Sequence, residues 1–251
     1  MSKAPNYSWE YFVGGVEPHT VFYYHVQSLN DLVNSSEDLT YNEKTIGNNI
    51  AELCMMGLAA QFESYCKIQF ASLINIYPRL LDQFCERREN AAVSIIDVYK
   101  IVDQLNYSVG SLLADNFDFG NSKSINSLFN DLITVSPFSK SESKKYSDFL
   151  NKRNLLVHHG GIYTFKYIRQ NGKEHTIEDL HNVIVIDKKT YNRWLNFIAK
   201  MVYKINTMCH SQLLARIKKD KYRPTKKQKE AIDQYMVLAD DNFRNLTSGS
   251  S

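Results

Sequence analysis

Residues 188–219, KKTYNRWLNFIAKMVYKINTMCHSQLLARIKK, are the stretch whose reading decides the fold. Tyr191, Trp194, Leu195, Ile198, Met201, Val202, Ile205, Met208 and Cys209 recur there at spacings of three and four. At 100° per residue they share one face, as in an amphipathic helix packed on a core. The stripe runs for over four turns at 3.6 residues per turn, unbroken by glycine or proline.

Working outward, residues 44–77 carry a second long apolar pattern. Ile46, Ile50, Leu53, Gly57 and Ala60 recur at helical spacing, with Cys54, Leu58, Phe62 and Tyr65 beside them. So wide a stripe predicts a central helix, ended by Pro78. Shorter helices are predicted over 21–34, 125–133 and 225–238, with one or two more over 80–107. Ile95, Val98, Tyr99, Val102 and Leu105 keep the 3.6 period in that last stretch. Another helix starts at Ser139 or Ser141, which can cap it, with acidic Glu142 near its start. It stops at Gly160-Gly161. Beyond it the period changes. Tyr163, Phe165 and Tyr167 alternate with Thr164 and Lys166, Asn171-Gly172 is a turn signal, and residues 183–186 are β-branched. That pattern predicts a small β-hairpin. The expected fold is an all-α antiparallel helical bundle with a small β-hairpin insertion after the 140–159 helix. The expected division is an N-terminal extension over 1–43, a helical domain over 44–219, and a basic, then disordered, tail over 220–251.

Composition agrees. The 251 residues are 43% apolar and 23% charged, enough for a core without disulfides, while ten glycines and five prolines are too few for a turn-rich β-sandwich. Cys54, Cys66, Cys85 and Cys209 form no C-x-x-C pair and are expected as four buried thiols in a reducing compartment. No run of about 18 apolar residues and no leader-like start is present, so a cytoplasmic chain with no membrane contact is expected. The net charge of +3 hides an asymmetry. Residues 216–229 hold eight basic side chains against Asp220, so that segment carries +7 and the remainder −4. Lys218, Lys219, Lys221, Arg223, Lys226 and Lys227 are therefore candidates for gathering a nucleic-acid backbone, with Tyr222 placed to stack on a base; a solvated tail explains the run equally well.

The chemistry-bearing candidates sit on the 140–159 helix. On a wheel, Tyr146, Phe149, Leu150, Leu156 and Val157 fall within about 60° of one direction, with Arg153 at their centre. A guanidinium there is costly unless it finds a partner or opens onto an interface. Glu63, in an otherwise apolar helix, is the expected counter-charge or an accessory acid. His158 lies about 140° around from Arg153. Asn154, four residues before it, is expected to orient its imidazole. Arg153 and His158 diverge, so one copy makes a poor two-residue site, whereas two copies about a two-fold axis could assemble four such groups. An arginine snorkelling to a carboxylate and a histidine ending a helix is the bland alternative. No metal or cofactor is expected. H-E-x-x-H and glycine-rich phosphate loops are absent, and His175 and His181, with Glu178 and Asp179 between, read as exposed turn polarity.

Arg153-Asn154-Leu155-Leu156-Val157-His158 resembles the R-polar-x3-H form of the R-x4–6-H motif of HEPN domains, small all-helical domains of prokaryotic toxin, RNA-processing and antiviral systems. The resemblance covers roughly 44–218, with the helix around Phe62-Glu63-Ser64-Tyr65 as the early core helix. It implies an endoribonuclease acting without metal, a homodimer whose motif helices form one cleft, and an RNA substrate. It also implies a toxin or antiphage role with a possible protein antitoxin. His158 would be the general base or acid, Arg153 would hold the scissile phosphate, and Asn154 would fill the polar position. His159 also satisfies the motif as R-x5-H. Gly160 stands where one branch of the family has a modifiable tyrosine. Silent members that only dimerise or bind nucleotides or partners are the alternative.

Overall fold

The computed structural model describes residues 9–88, 96, 98, 105–171 and 176–237. Nine α-helices are found among the described residues: α1 (Pro18–Ser35), α2 (Asn49–Ile76), α3 (Leu80–Arg87), α4 (Leu105–Ala114), α5 (Ser122–Ile133), α6 (Lys140–His159), α7 (Phe165–Gln170), α8 (Lys188–Lys219) and α9 (Lys226–Val237). Strands β1 (Leu39–Tyr41) and β2 (Lys44–Gly47) form one antiparallel hairpin. The protein is an all-α bundle with a small β-hairpin.

Helix α2 is the centre. Every residue from Gln69 to Ile76 is buried, so its last two turns are covered on all sides. It packs against α1, α4, α8, α6, α3 and α9. Asn48 starts it, accepting from the Ala51 N–H at 2.9 Å and donating to Asp38 and Ser36. Helix α4 lies so close that the Gly110 N–H donates to Asn75 Oδ1 at 2.9 Å, and a Cβ on Gly110 would stand 2.1 Å from the Ala71 carbonyl oxygen. Only glycine fits that approach. Helix α8 spans Lys188–Lys219, as its periodicity predicts, with Asp187 as N-cap to Thr190. The Tyr65 hydroxyl donates to the Val202 carbonyl at 3.1 Å, and Gln69 donates to the Tyr235 hydroxyl, tying α2 to α8 and α9.

Several expectations change. The hairpin lies before α2. It turns at Asn42 and Glu43, both left-handed (φ 47° and 63°), the conformation a two-residue turn of this kind needs. Asn-Glu is a weaker signal than Asn-Gly, and the long helix pattern concealed β2. After α6 there is no hairpin among the described residues. Residues 165–170 are helical and Gly172 lies outside the described residues. Tyr163 and Tyr167 alternate with Phe165, but they are also four apart. They stack at 5.2 Å, and Thr164 caps α7 through the Tyr167 N–H. Helical spacing wins. The single bridge Ile162–Val183 is what remains of the pairing. The boundary expected at 43/44 falls at the hairpin turn, and Phe22, Val26 and Val33 of α1 share the core with α2. Ala231, Ile232 and Tyr235 of α9 join the same core. The expected terminal disorder and most of the 90–104 pattern lie outside the described residues. Cys54, Cys66 and Cys209 are buried, but Cys85 is exposed on α3. Among the described residues, no helix is long and apolar enough to cross a membrane.

Candidate active site on helix α6

Both ends of α6 are fixed by local chemistry. Ser139 accepts from the Glu142 N–H at 3.3 Å while its own N–H donates to Glu142 Oε2 at 2.8 Å, a full capping box. Glu142 also accepts from Lys204 Nζ at 2.7 and 2.9 Å, clamping the start of α6 to α8. Burial opposes ionisation of Glu142, but the Lys204 ammonium and the Ser139 bonds together hold its carboxyl below the ordinary value. At the other end, Gly160 is left-handed (φ 57°) and the Gly161 N–H reaches back to the Leu155 carbonyl at 2.9 Å.

Between these ends the side chains separate by face. Tyr146 and Phe149 turn into the aromatic core, Tyr146 against Phe62 and Phe138, and Phe149 against Trp194. Arg153 is half-buried on that side. Its Nε is buried with no hydrogen-bond partner. The expected Arg153–Glu63 ion pair is not formed; Glu63 turns instead toward the 118–120 loop, its Oε2 3.8 Å from where a Cβ on Gly120 would be. Both charges nonetheless act on the Tyr146 phenol. Burial raises its pKa, the Cys66 thiol and Glu63 push it further, and Arg153 opposes them. The guanidinium thus stands near the core with no carboxylate among the described residues to neutralise it.

His158 and His159 are exposed on another side, their rings 6.4 Å apart. With Asn154, and Thr164, Lys166 and Tyr167 from the α7 region, they line a hollow of about 170 Å³. Arg153 does not line it. Asn154 and His158 are both exposed and share the hollow, without the expected hydrogen bond between them. One copy therefore brings Asn154, His158 and His159 together and leaves Arg153 on a neighbouring face.

An apolar surface borders this helix end. Val157, Ile162, Val183 and Val185 are exposed, while Ile184 and Ile186, alternating with the latter two, are buried. Gly161 lies against Val183, Ile184 and Leu156, which holds the 183–186 segment onto the end of α6.

The C-terminal basic segment is placed differently from expectation. Lys218, Lys219, Lys221, Arg223, Lys226 and Lys227 are all exposed. Lys226 lies 4.0 Å from Glu230, Lys227 pairs with Glu10, and Arg216 bonds Asp220 at 2.9 Å and Gln83 at 2.8 Å. Tyr222 is not free to stack on a base. Its ring packs on Tyr77 at 5.0 Å and its hydroxyl donates to Gln228. The Tyr77 hydroxyl donates to Asp220 at 2.8 Å; burial and that bond push its pKa up to about 12.

A larger basic groove was missed from sequence. It measures about 850 Å³ between the first half of α8 and Lys145 of α6, and it includes Lys189, Arg193 and Lys200. The signal was present as cations at 189, 193 and 200 on the polar face of α8, but Lys145 joins them only through tertiary packing. Among the described residues, no group of three or more His, Cys, Asp or Glu side chains could hold a metal ion, and His175 is outside those residues. Comparison with protein-family models, curated proteins and solved structures finds no match to this chain.

Proposed function

We propose that the protein is an endoribonuclease of the HEPN type, acting without metal as a homodimer and serving as a toxin or antiphage effector. The observation that carries this reading is the Arg153 guanidinium: half-buried, with no carboxylate partner among the described residues, and five residues before a solvent-facing histidine. An unpaired charge in that setting is costly unless an anion arrives, and a planar two-pronged donor suits a phosphate. The exposed Val157, Ile162, Val183 and Val185 support a second copy docking on the end of α6. That docking would set Arg153 of one protomer beside His158 of the other.

The chemistry then follows from the groups. A neutral His158 imidazole takes the proton of a ribose 2′-hydroxyl, and the oxygen attacks the adjacent phosphorus. Arg153 stabilises the charge gathering on the phosphoryl oxygens. The bond to O5′ breaks, and the second copy's His158 protonates the leaving oxygen. The products are a 2′,3′-cyclic phosphate and a 5′-hydroxyl, and DNA is spared for lack of the attacking group. Asn154 lines the same hollow as His158, and His159 is the alternative base. Lys218, Lys219, Lys221 and Arg223 would add attraction for the RNA backbone.

A second reading is a silent HEPN-like module for dimerisation or for binding a nucleotide or protein partner such as an antitoxin. Its support is the divergence of Arg153 from the His158 hollow. The deciding experiment is cleavage of RNA in chelator by wild type, Arg153→Ala and His158→Ala, with the mass of each in solution. Absence of cleavage by a wild-type dimer, or equal cleavage by all three, overturns the enzyme reading.

A further inference from the structure

We propose that the groove between α6 and the first half of α8 binds the phosphodiester backbone of single-stranded RNA, with Lys145, Lys189, Arg193 and Lys200 as its contacts. That the strand is RNA rests on the ribonuclease reading above.

Charge carries the argument first. Among the described residues the groove is lined by five cations, Lys145, Lys188, Lys189, Arg193 and Lys200, against one carboxylate, Asp38, which accepts from Asn48 Nδ2 at 3.0 Å and from the Lys188 backbone N–H at 3.1 Å. The Lys188 ammonium is tied to the Asn34 carbonyl. Lys189, Arg193 and Lys200 are exposed and form no ion pair among the described residues. Lys145 lies 4.7 Å from the Phe197 ring centre. Lys145, Lys152 and Arg193 also stand 6.0, 5.4 and 5.5 Å from the ring centre of Trp194. The Lys152 charge is met by Asp148 at 2.7 Å. The other two are not, so like charges are held together around one indole. An incoming polyanion removes that repulsion and releases its own counterions.

Spacing comes second. Residues 189, 193 and 200 fall within about 40° on the helix wheel and are separated along the axis by about 6 and 10 Å. A row of cations along one helix side suits a polymer with a charge at every residue. A lipid surface fits worse. The groove is concave, and no exposed large apolar side chain lines it.

Continuity comes third. On α6, Lys145 and Lys152 lie on one line, and Asn151, next to Lys152, lines the His158 hollow. A strand seated in the groove would run along α6 toward that hollow.

The test is fluorescence anisotropy with a labelled single-stranded RNA whose 2′-hydroxyls are methylated, so that it cannot be cut. Wild type is compared with Lys189→Ala/Arg193→Ala/Lys200→Ala across a salt series, and with Lys189→Arg/Arg193→Lys/Lys200→Arg, which keeps the charge. These side chains are exposed, and matching melting curves confirm intact folding. At low salt the alanine variant binds about 10- to 100-fold more weakly, and its log K against log salt slope is shallower by about 2, at roughly 0.7 per lost contact. The charge-keeping variant binds like wild type. Equal affinity and slope in the alanine variant overturn the proposal. So does a wild type that binds no RNA, or a variant that loses binding only to polyglutamate or to phosphatidylserine vesicles. Binding through the groove without any RNA cleavage leaves the groove standing and removes the ribonuclease. Cleavage with an unchanged KM in the alanine variant does the reverse.

Discussion

Two basic regions of this molecule are built differently, one from contiguous sequence and partly compensated, the other from residues brought together by the fold. The segment from Arg216 to Lys229 is dense in sequence; Arg216, Lys226 and Lys227 are met by Asp220, Glu230 and Glu10, and its other five cations form no ion pair among the described residues. The α6–α8 groove draws on residues as far apart as Lys145 and Lys200, and sets five cations against one acid, Asp38. A charge run counts cations along the chain, whereas a binding surface depends on which of them the fold leaves uncompensated. Each region also has its own carboxylate anchor. Glu142 clamps α6 to α8 beside the groove, and Asp220 joins Tyr77 to Arg216 at the start of the C-terminal segment. The Tyr77 bond and the Arg216 guanidinium hold the Asp220 carboxyl below the ordinary range.

The comparison can be broken most forcefully at the chemistry both regions are proposed to serve. Arg153→Ala or His158→Ala is expected to lower the RNA cleavage rate about 10²- to 10⁴-fold, measured at saturating RNA. Loss of RNA affinity with an unchanged rate would instead make Arg153 one more backbone contact, equivalent to the groove cations.

Acid acts next, through a buried histidine on α1. His19 is buried with both ring nitrogens unpartnered, and burial lowers its pKa to about 4. The unfolded chain takes that proton near the ordinary histidine value, before the folded protein does. Stability is therefore fully present above about pH 6.5 and falls as pH drops toward 4, by up to about 3 kcal/mol. Urea unfolding at a series of pH values measures this, and His19→Leu should flatten the curve over that window. A wild-type curve already flat there removes His19 as the cause.

The two regions are then compared directly. Lys226→Ala/Lys227→Ala, whose charges are met by Glu230 and Glu10, is expected to weaken RNA binding about threefold, well short of the effect of the groove variant. Equal losses would erase the distinction between them. A stability effect is expected at the groove's foundation. Ser139→Ala removes one half of the α6 capping box and should cost about 1 kcal/mol in urea unfolding. Below the ordinary carboxylate range Glu142 also loses the charge that holds Lys204, so the cost of Ser139→Ala should shrink in acid as the clamp is lost.

Much of the helical frame was legible because it depends on local periodicity and local stops. Residues 188–219 declare their helix with apolar spacing alone, and α6 with a serine, a glutamate three residues on, and two glycines. The hairpin was misplaced because the 162–186 segment satisfies both a two-residue and a four-residue period, and packing of Tyr163 on Tyr167 chooses between them. At the site, the wheel correctly separated Arg153 from His158, since side-chain direction on a helix follows from residue number. It could not foresee that Glu63 faces the 118–120 loop, because that is set by how α2 meets distant chain.

By itself, then, the sequence determined an all-α bundle, the limits of its two clearest helices and the divergence of arginine from histidine on one of them. These follow from interactions within a few residues. Only the tertiary structure decided that Arg153 has no carboxylate partner among the described residues, that the C-terminal cations are partly neutralised, and that Lys145 joins the cations of α8. Charge compensation is a property of neighbours in space, and Coulomb attraction does not depend on how far apart along the chain those neighbours lie.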